Sequence, residues 1–225
     1  MFKKLCLFSI IGTILILPLG SQAFSPTISN PILPYEVLTM DSDIATEQVY
    51  LGELKGDPHM YEFTLGKETE LVVTMVQQQD ANLPLSLIAV QSNDNNRGVS
   101  EIGRLTASET TWQPYWDSVL GLKLSLSPIF SRTLGSGVYR VEVSTAENMG
   151  KYMLIVGTET QDLGYFKTLS NIALAQDFFG KSIFTMILSS YVYYPMGILL
   201  LLYLLFLTWL NKDYLRQKIS LRSKI

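Results

Sequence analysis

The chain of 225 residues is poor in the side chains that build compact reactive sites. It has one cysteine, Cys6, and one histidine, His59. A disulfide framework is therefore impossible, and one chain cannot assemble a His/Cys metal site. There is no Gly-x-Ser-x-Gly nucleophile elbow, because Gly135-Ser136-Gly137 lacks the spacing. Charge is also missing where a cytosolic globule would carry it. No charged residue lies between Lys4 and the end of the first apolar run, and none lies between Lys181 and Lys212.

What charge there is, is segregated. Lys3 and Lys4 give the first 23 residues +2. Residues 211–225 hold Lys212, Arg216, Lys218, Arg222 and Lys224 against Asp213, a net +4. Since the whole chain is −3, the middle carries −9. So acidic a middle argues against nucleic acid as the partner. Two basic ends around an acidic middle fit a protein translocated across a membrane.

Residues 1–23 read as a secretory signal peptide: a short basic start, the uncharged run Leu5–Leu19, then Ser21-Gln-Ala23 with small residues for the peptidase. Cleavage is expected after Ala23, the alternative being an uncleaved anchor. Cys6 lies inside this segment, so the mature chain would hold no thiol. Residues 191–211 read as a transmembrane helix, 21 residues spanning roughly 31 Å at 1.5 Å rise. Tyr191, Tyr193 and Tyr194 at one end and Trp209 at the other are expected at the membrane interface, with Lys181 as an interfacial charge at the outer face. The basic residues of 212–225 mark a cytoplasmic tail by the positive-inside rule.

Residues 24–165 are long enough for one domain. Period-two patterns at 47–52, 61–65, 70–76, 85–90, 122–126, 138–143 and 152–156 predict strands, and Gly, Asn and Pro clusters separate them. Seven or more short strands predict a mainly β protein, an antiparallel β-sandwich outside the cytoplasm. Phe24 to Pro34, with three prolines, reads as an extended lead-in. Residues 166–190 form an amphipathic juxtamembrane segment, helical near 166–178. It is expected to lie on the membrane, to bind a partner, or to extend the span backward with a kink at Pro195; the first is preferred.

Gly137-Val-Tyr-Arg-Val-Glu-Val, a turn and Gly150-Lys-Tyr-Met-Leu-Ile-Val resemble the closing strands of bacterial pre-peptidase C-terminal-type domains. His59-Met-Tyr-Glu-Phe-Thr-Leu and Thr69-Glu-Leu-Val-Val-Thr-Met look like that family's opening pair. The resemblance covers roughly residues 45–157 and implies a jelly-roll-like accessory module of secreted and surface proteins. It does not carry over calcium, because the family's acidic mid-domain strand is here Ala81-Asn-Leu-Pro-Leu-Ser-Leu-Ile-Ala-Val. The layout of signal, sandwich and C-terminal anchor also resembles that of bacterial envelope proteins.

Other motifs are weaker. Gly180-Lys181-Ser182 ends like a phosphate loop, yet Ala175 stands where its first glycine belongs. Asp41, Asp43 and Glu47 lack the remaining ligands and the glycine of a calcium loop, and Asp94-Asn-Asn-Arg-Gly98 fails similarly. No metal, cofactor or catalytic residue is expected. His59, with nothing to activate, is read as a surface histidine. Trp112, Tyr115 and Trp116 form the densest aromatic cluster outside the span, either a ligand or partner contact or a plug at one end of the sandwich. Three functions remain open: a non-enzymatic envelope module that binds a protein or assembles with one, a carbohydrate-binding module using that aromatic platform, and a membrane-anchored hydrolase using carboxylates.

Overall fold

The computed structural model describes residues 25–92, 98–108, 111–161 and 163–211. The expected signal peptide with Cys6, the turn at 93–97 and the basic tail of 212–225 lie outside the described residues. All seven expected strands are present: β3 (Gln48–Lys55), β4 (His59–Leu65), β5 (Thr69–Gln78), β6 (Ser86–Ser92), β9 (Leu122–Leu126), β11 (Gly137–Ser144) and β12 (Met149–Val156). Five more join them: β1 (Pro26–Ser29), β2 (Val37–Thr39), β7 (Val99–Leu105), β8 (Gln113–Asp117) and β10 (Phe130–Leu134).

The strands form two packed sheets. One runs β1-β3-β12-β5-β9-β8, with β10 sharing the edge of β5 beyond β9. The other runs β2-β4-β11-β6-β7. The sheets are mixed rather than purely antiparallel. The segment read as an extended lead-in supplies β1, which pairs in parallel with β3, and β2 beyond it pairs in parallel with β4. One stretch of chain thus covers the same side of both sheets, and Pro26 is tolerated because β1 is an edge strand.

Burial explains the layering. Strand β4 alternates buried and open positions, as a strand with one covered face does. Strands β3 and β12 are buried almost continuously in their middle, as strands covered on both faces are. On one face Tyr50, Leu54, Tyr152, Leu154 and Val156 meet Tyr61, Phe63, Val141 and Leu87 of the facing sheet. On the other, Val49, Leu51, Val76, Leu124 and Met153 meet a helix.

That helix is α1 (Tyr165–Phe178), buried at Thr168, Ile172, Ala175 and Gln176. The i, i+4, i+7, i+8 spacing is one face of a helix. The amphipathic helix expected near 166–178 is present, but its apolar face is turned onto the sheet. Its end is a Schellman arrangement: Gly180 has φ 69° and donates to Asp177 O, and Lys181 N–H donates to Gln176 O. Gly180-Lys181 is therefore a helix stop, which accounts for the residues that end like a phosphate loop. A 3-10 helix, η1 (Ile183–Leu188), follows, and then α2 (Ser190–Leu210). Helix α2 is long and apolar enough to cross a membrane, and its apolar stretch is not buried inside the protein.

Candidate functional site

Tyr115 and Trp116 lie on β8 and Trp112 just before it, at the free edge of the sheet, where Pro114 removes no ladder bond that a central strand would need. The structure does not bring the three rings together. Trp112 is partly buried against the core between the sheets. Tyr115 points the other way, into the layer between sheet and helix. Trp116 is 48% exposed, opposite Lys123 of β9. Alternation along a strand separates neighbours 115 and 116 by necessity. One open ring remains where a platform of three was one of the two expectations.

Strand β8 runs into a tight turn with its own cap. Asp117 Oδ1 accepts the N–H groups of Val119 and Leu120, each at 2.9 Å, and Gly121 N–H returns to Asp117 O at 2.7 Å. The Tyr115 hydroxyl lies near the same carboxylate and favours its charged form. Burial raises the Asp117 pKa, against the pull of these donors. Glu47 is also raised, first by burial and then by the Asp117 charge.

This turn grips the start of α2. Ser190 N–H donates to Ser118 O at 2.8 Å. Ser189 Oγ donates to Val119 O at 2.6 Å and accepts from Tyr191 N–H, so one hydroxyl both caps the helix and ties it to the turn. Gln176 Nε2 of α1 donates to Leu120 O at 2.6 Å. Gly121, at φ 65°, lies so close to the Leu188–Ser189 backbone that a β-carbon would come within 2.8 Å of it. From the other side the Tyr165 hydroxyl donates to Tyr191 O at 2.7 Å, and the two rings stack with centroids 5.9 Å apart. Sandwich, α1 and α2 converge on this neck.

The residues expected at a membrane interface separate here. Tyr191 is buried in the protein, packed between α1 and the sheet, because the neck encloses the first turn of α2. Tyr193 and Tyr194 are exposed with rings 4.4 Å apart, and Trp209 is exposed at the far end of α2. Lys181 is half-buried at the end of α1, its N–H used in the helix stop.

His59 is not at the surface. It is 2% exposed, because as the first residue of β4 it shares the inward face of Tyr61 and Phe63. Its Nδ1 lies 2.8 Å from the Tyr152 hydroxyl, which lies 2.8 Å from the Tyr61 hydroxyl. Burial, with the nearby Lys55 charge second, lowers the His59 pKa. Burial pushes Tyr61 up to about 12 and Tyr152 well up. All three stay neutral at ordinary pH and join the sheets as a polar rivet.

Three carboxylates elsewhere have partners. Asp41 Oδ1 accepts Asp43 N–H, and Asp43 Oδ2 accepts the Thr46 hydroxyl, so this pair shapes a turn. Glu62, which faces Asp41 across a shallow hollow, accepts from Arg140 Nε at 2.6 Å. No group of three or more metal-ligating side chains occurs among the described residues.

The neck was not visible in the sequence. Its contacts are main-chain carbonyls and serine hydroxyls, which carry no pattern. The one available signal was Pro195, four residues after Tyr191, which announces a carbonyl without its usual donor.

No protein-family model and no curated protein matches the chain. Solved structures do resemble it. The pre-peptidase C-terminal domain of a collagenase from Bacillus anthracis is 12% identical, with 55% of this chain and 96% of that one covered and a TM-score of 0.36. The mitogen derived from Yersinia pseudotuberculosis is 15% identical, with 52% and 91% covered and a TM-score of 0.32. The structural neighbours thus include a domain of the type that the closing strands resemble. At such TM-scores neither likeness carries an argument about activity, ligand or partner.

Proposed function

We propose that the protein is a single-pass membrane protein of the cell envelope. Its sandwich is a non-enzymatic binding or assembly module held outside the cytoplasm, and its C-terminus is cytoplasmic. The observation that carries this reading is the bonding of the β8–β9 turn to the first turn of α2. An apolar helix joined to a domain by a slack linker only tethers it; one gripped at its first turn fixes which surfaces face the membrane and which face outward. The acidic middle and the five basic residues after α2 support the orientation.

The partner favoured is another envelope protein. A single open tryptophan on an edge strand is the kind of anchor that protein interfaces use. A glycan platform needs several coplanar rings, and Trp112 and Tyr115 are turned to opposite faces. The carboxylate hydrolase has less support, since Asp117 is occupied by its turn cap.

Crosslinking in intact membranes followed by affinity capture tests the reading. The intact chain should retain a specific envelope protein that Trp116→Ala loses. Identical capture by both proteins, together with retention on glycan that depends on Trp116, would favour the carbohydrate reading instead. A reporter fused after Ile225 should be active only in the cytoplasm; activity outside overturns the orientation.

A further inference from the structure

The apolar face of α1 is spent on the sheet, yet the segment between α1 and α2 leaves its own apolar side chains open. Ile183 and Phe184 of η1 are 74% and 77% exposed, and Ile187 and Leu188 about half. In a 3-10 helix residues three apart eclipse, so Phe184 and Ile187 form one stripe. Phe166 is 83% exposed beside Tyr165, the residue that bonds to the first turn of α2. Each open phenylalanine has a lysine close in sequence: Lys167 follows Phe166, and Lys181 stands three residues before Phe184.

We propose that η1 and Phe166 form a lipid-binding surface, which buries these side chains in the membrane leaflet on the sandwich side and sets Lys167 and Lys181 among phospholipid headgroups. The proposal rests on the reading of α2 as a span. Three observations choose lipid over other occupants. The surface is continuous with α2, for η1 ends at Leu188 and Ser189 caps the helix. At about 2.0 Å rise per residue, no residue of η1 lies more than about 12 Å from that cap. Headgroup layers are about 5–8 Å deep, so η1 lies mostly within them and only its far end could clear them, where the segment rises from the membrane plane. The charge also fits, because from Lys167 to Leu210 the only charged residues are Lys167, Asp177 and Lys181. Apolar stripes edged by cations are what interfacial segments present to phospholipid. The neck holds this surface in place: Gly121 packs on Leu188, and the Ser118 and Val119 carbonyls bind Ser190 and Ser189. The sandwich would thus be seated on the membrane, with Trp116, two residues before Ser118, facing out just above it.

The test uses the full chain, with Cys6→Ser where the leader is retained, reconstituted in phosphatidylcholine/phosphatidylglycerol vesicles. An environment-sensitive label is placed at Phe184→Cys or, as a control on the far sheet, at Val99→Cys. Both positions are exposed, so neither change threatens folding. Brominated lipid should quench the label at 184 at least about threefold more than the label at 99, and aqueous iodide should do the reverse. Equal access of iodide to both labels overturns the proposal. Shielding at 184 from both quenchers also overturns it, since a protein or a second copy would then cover the surface. Alkaline carbonate extraction, run in parallel, separates this from the underlying reading: release of the protein means that α2 does not span, whereas resistance with an iodide-accessible 184 means that only the seating is wrong.

Discussion

The Tyr165 hydroxyl donates at 2.7 Å to the carbonyl of Tyr191, the carbonyl to which Pro195 has no N–H to offer. A proline inside a helix leaves the carbonyl four residues earlier without its partner. Here a side chain from another helix fills that place, so the defect in α2 becomes the point of attachment for α1. Tyr165→Phe should keep the stacking on Tyr191 and lose only this bond, at a cost of about 1–2 kcal/mol. In a Pro195→Ala background residue 195 supplies an N–H, and the same change should cost less than half as much. Urea unfolding of the four proteins in detergent gives the double-mutant cycle. Equal costs in both backgrounds would show that the two residues are not coupled.

Gly121 tests the neck from the sandwich side. Its φ of 65° and its contact with the Leu188–Ser189 backbone exclude a side chain on two counts. Gly121→Ala should loosen the neck by about 1–3 kcal/mol. The local readout is tryptic cleavage at Lys181, which the folded neck protects to the extent that it stays closed. The variant should be cut at least about fivefold faster there, with the sandwich strands still resistant. An unchanged rate would mean that the turn does not hold the neck.

Across the core, Tyr152 lies on Gly52, its partner in the neighbouring strand: a β-carbon at 52 would sit 2.4 Å from Tyr152 Cζ. The glycine makes room for the ring that bonds to Tyr61 and His59. Gly52→Ala must displace the ring and strain both bonds, at about 2–4 kcal/mol by overpacking plus unsatisfied partners. Tyr152→Phe keeps the packing and strands the Tyr61 hydroxyl and His59 Nδ1, at about 1–3 kcal/mol. Denaturant unfolding distinguishes these; a Gly52→Ala protein within about 0.5 kcal/mol of the parent would contradict the geometry.

The sequence showed what repeats and hid what does not. The strands around Tyr61 and Val141 alternate, because one face of each meets the opposite sheet, and those around Val73 and Leu154 are short apolar runs bounded by turn residues, so all four are legible. Strand β7 exposes most of its length and β8 contains Pro114, so neither carries that alternation. Strand β1 lies among prolines, and its parallel pairing depends on a chain path that no local pattern encodes. Likewise the 3.6-residue period of α1 was visible, but a period cannot say whether a sheet or a bilayer covers the apolar face. The aromatic cluster is divided for a related reason: three rings in five residues are near in sequence, and a strand places adjacent ones on opposite faces. His59 follows the turn at Gly56-Asp57-Pro58, which points to the surface, whereas its parity with Tyr61 and Phe63 turns it inward.

That buried histidine gives the pH dependence a sign. Its folded pKa lies below the ordinary value of 6.5, so below that value the unfolded chain takes a proton that the folded one refuses. Its contribution to stability is whole above pH 6.5 and is lost as pH falls from there toward the depressed folded value. Glu47 and Asp117 act in the opposite direction at lower pH: their folded pKa values are raised, so acidification through those values relieves a penalty of burial. A raw stability profile mixes the two slopes. Comparison with His59→Asn isolates the first, because asparagine can still meet the Tyr152 hydroxyl but does not titrate. The parent should lose stability relative to His59→Asn between pH 7 and pH 5, and the two curves should run parallel above pH 7. Parallel curves across the whole range would mean that His59 takes up its proton in the folded state as readily as in the unfolded one, which a ring enclosed between the sheets and bonded to Tyr152 does not allow.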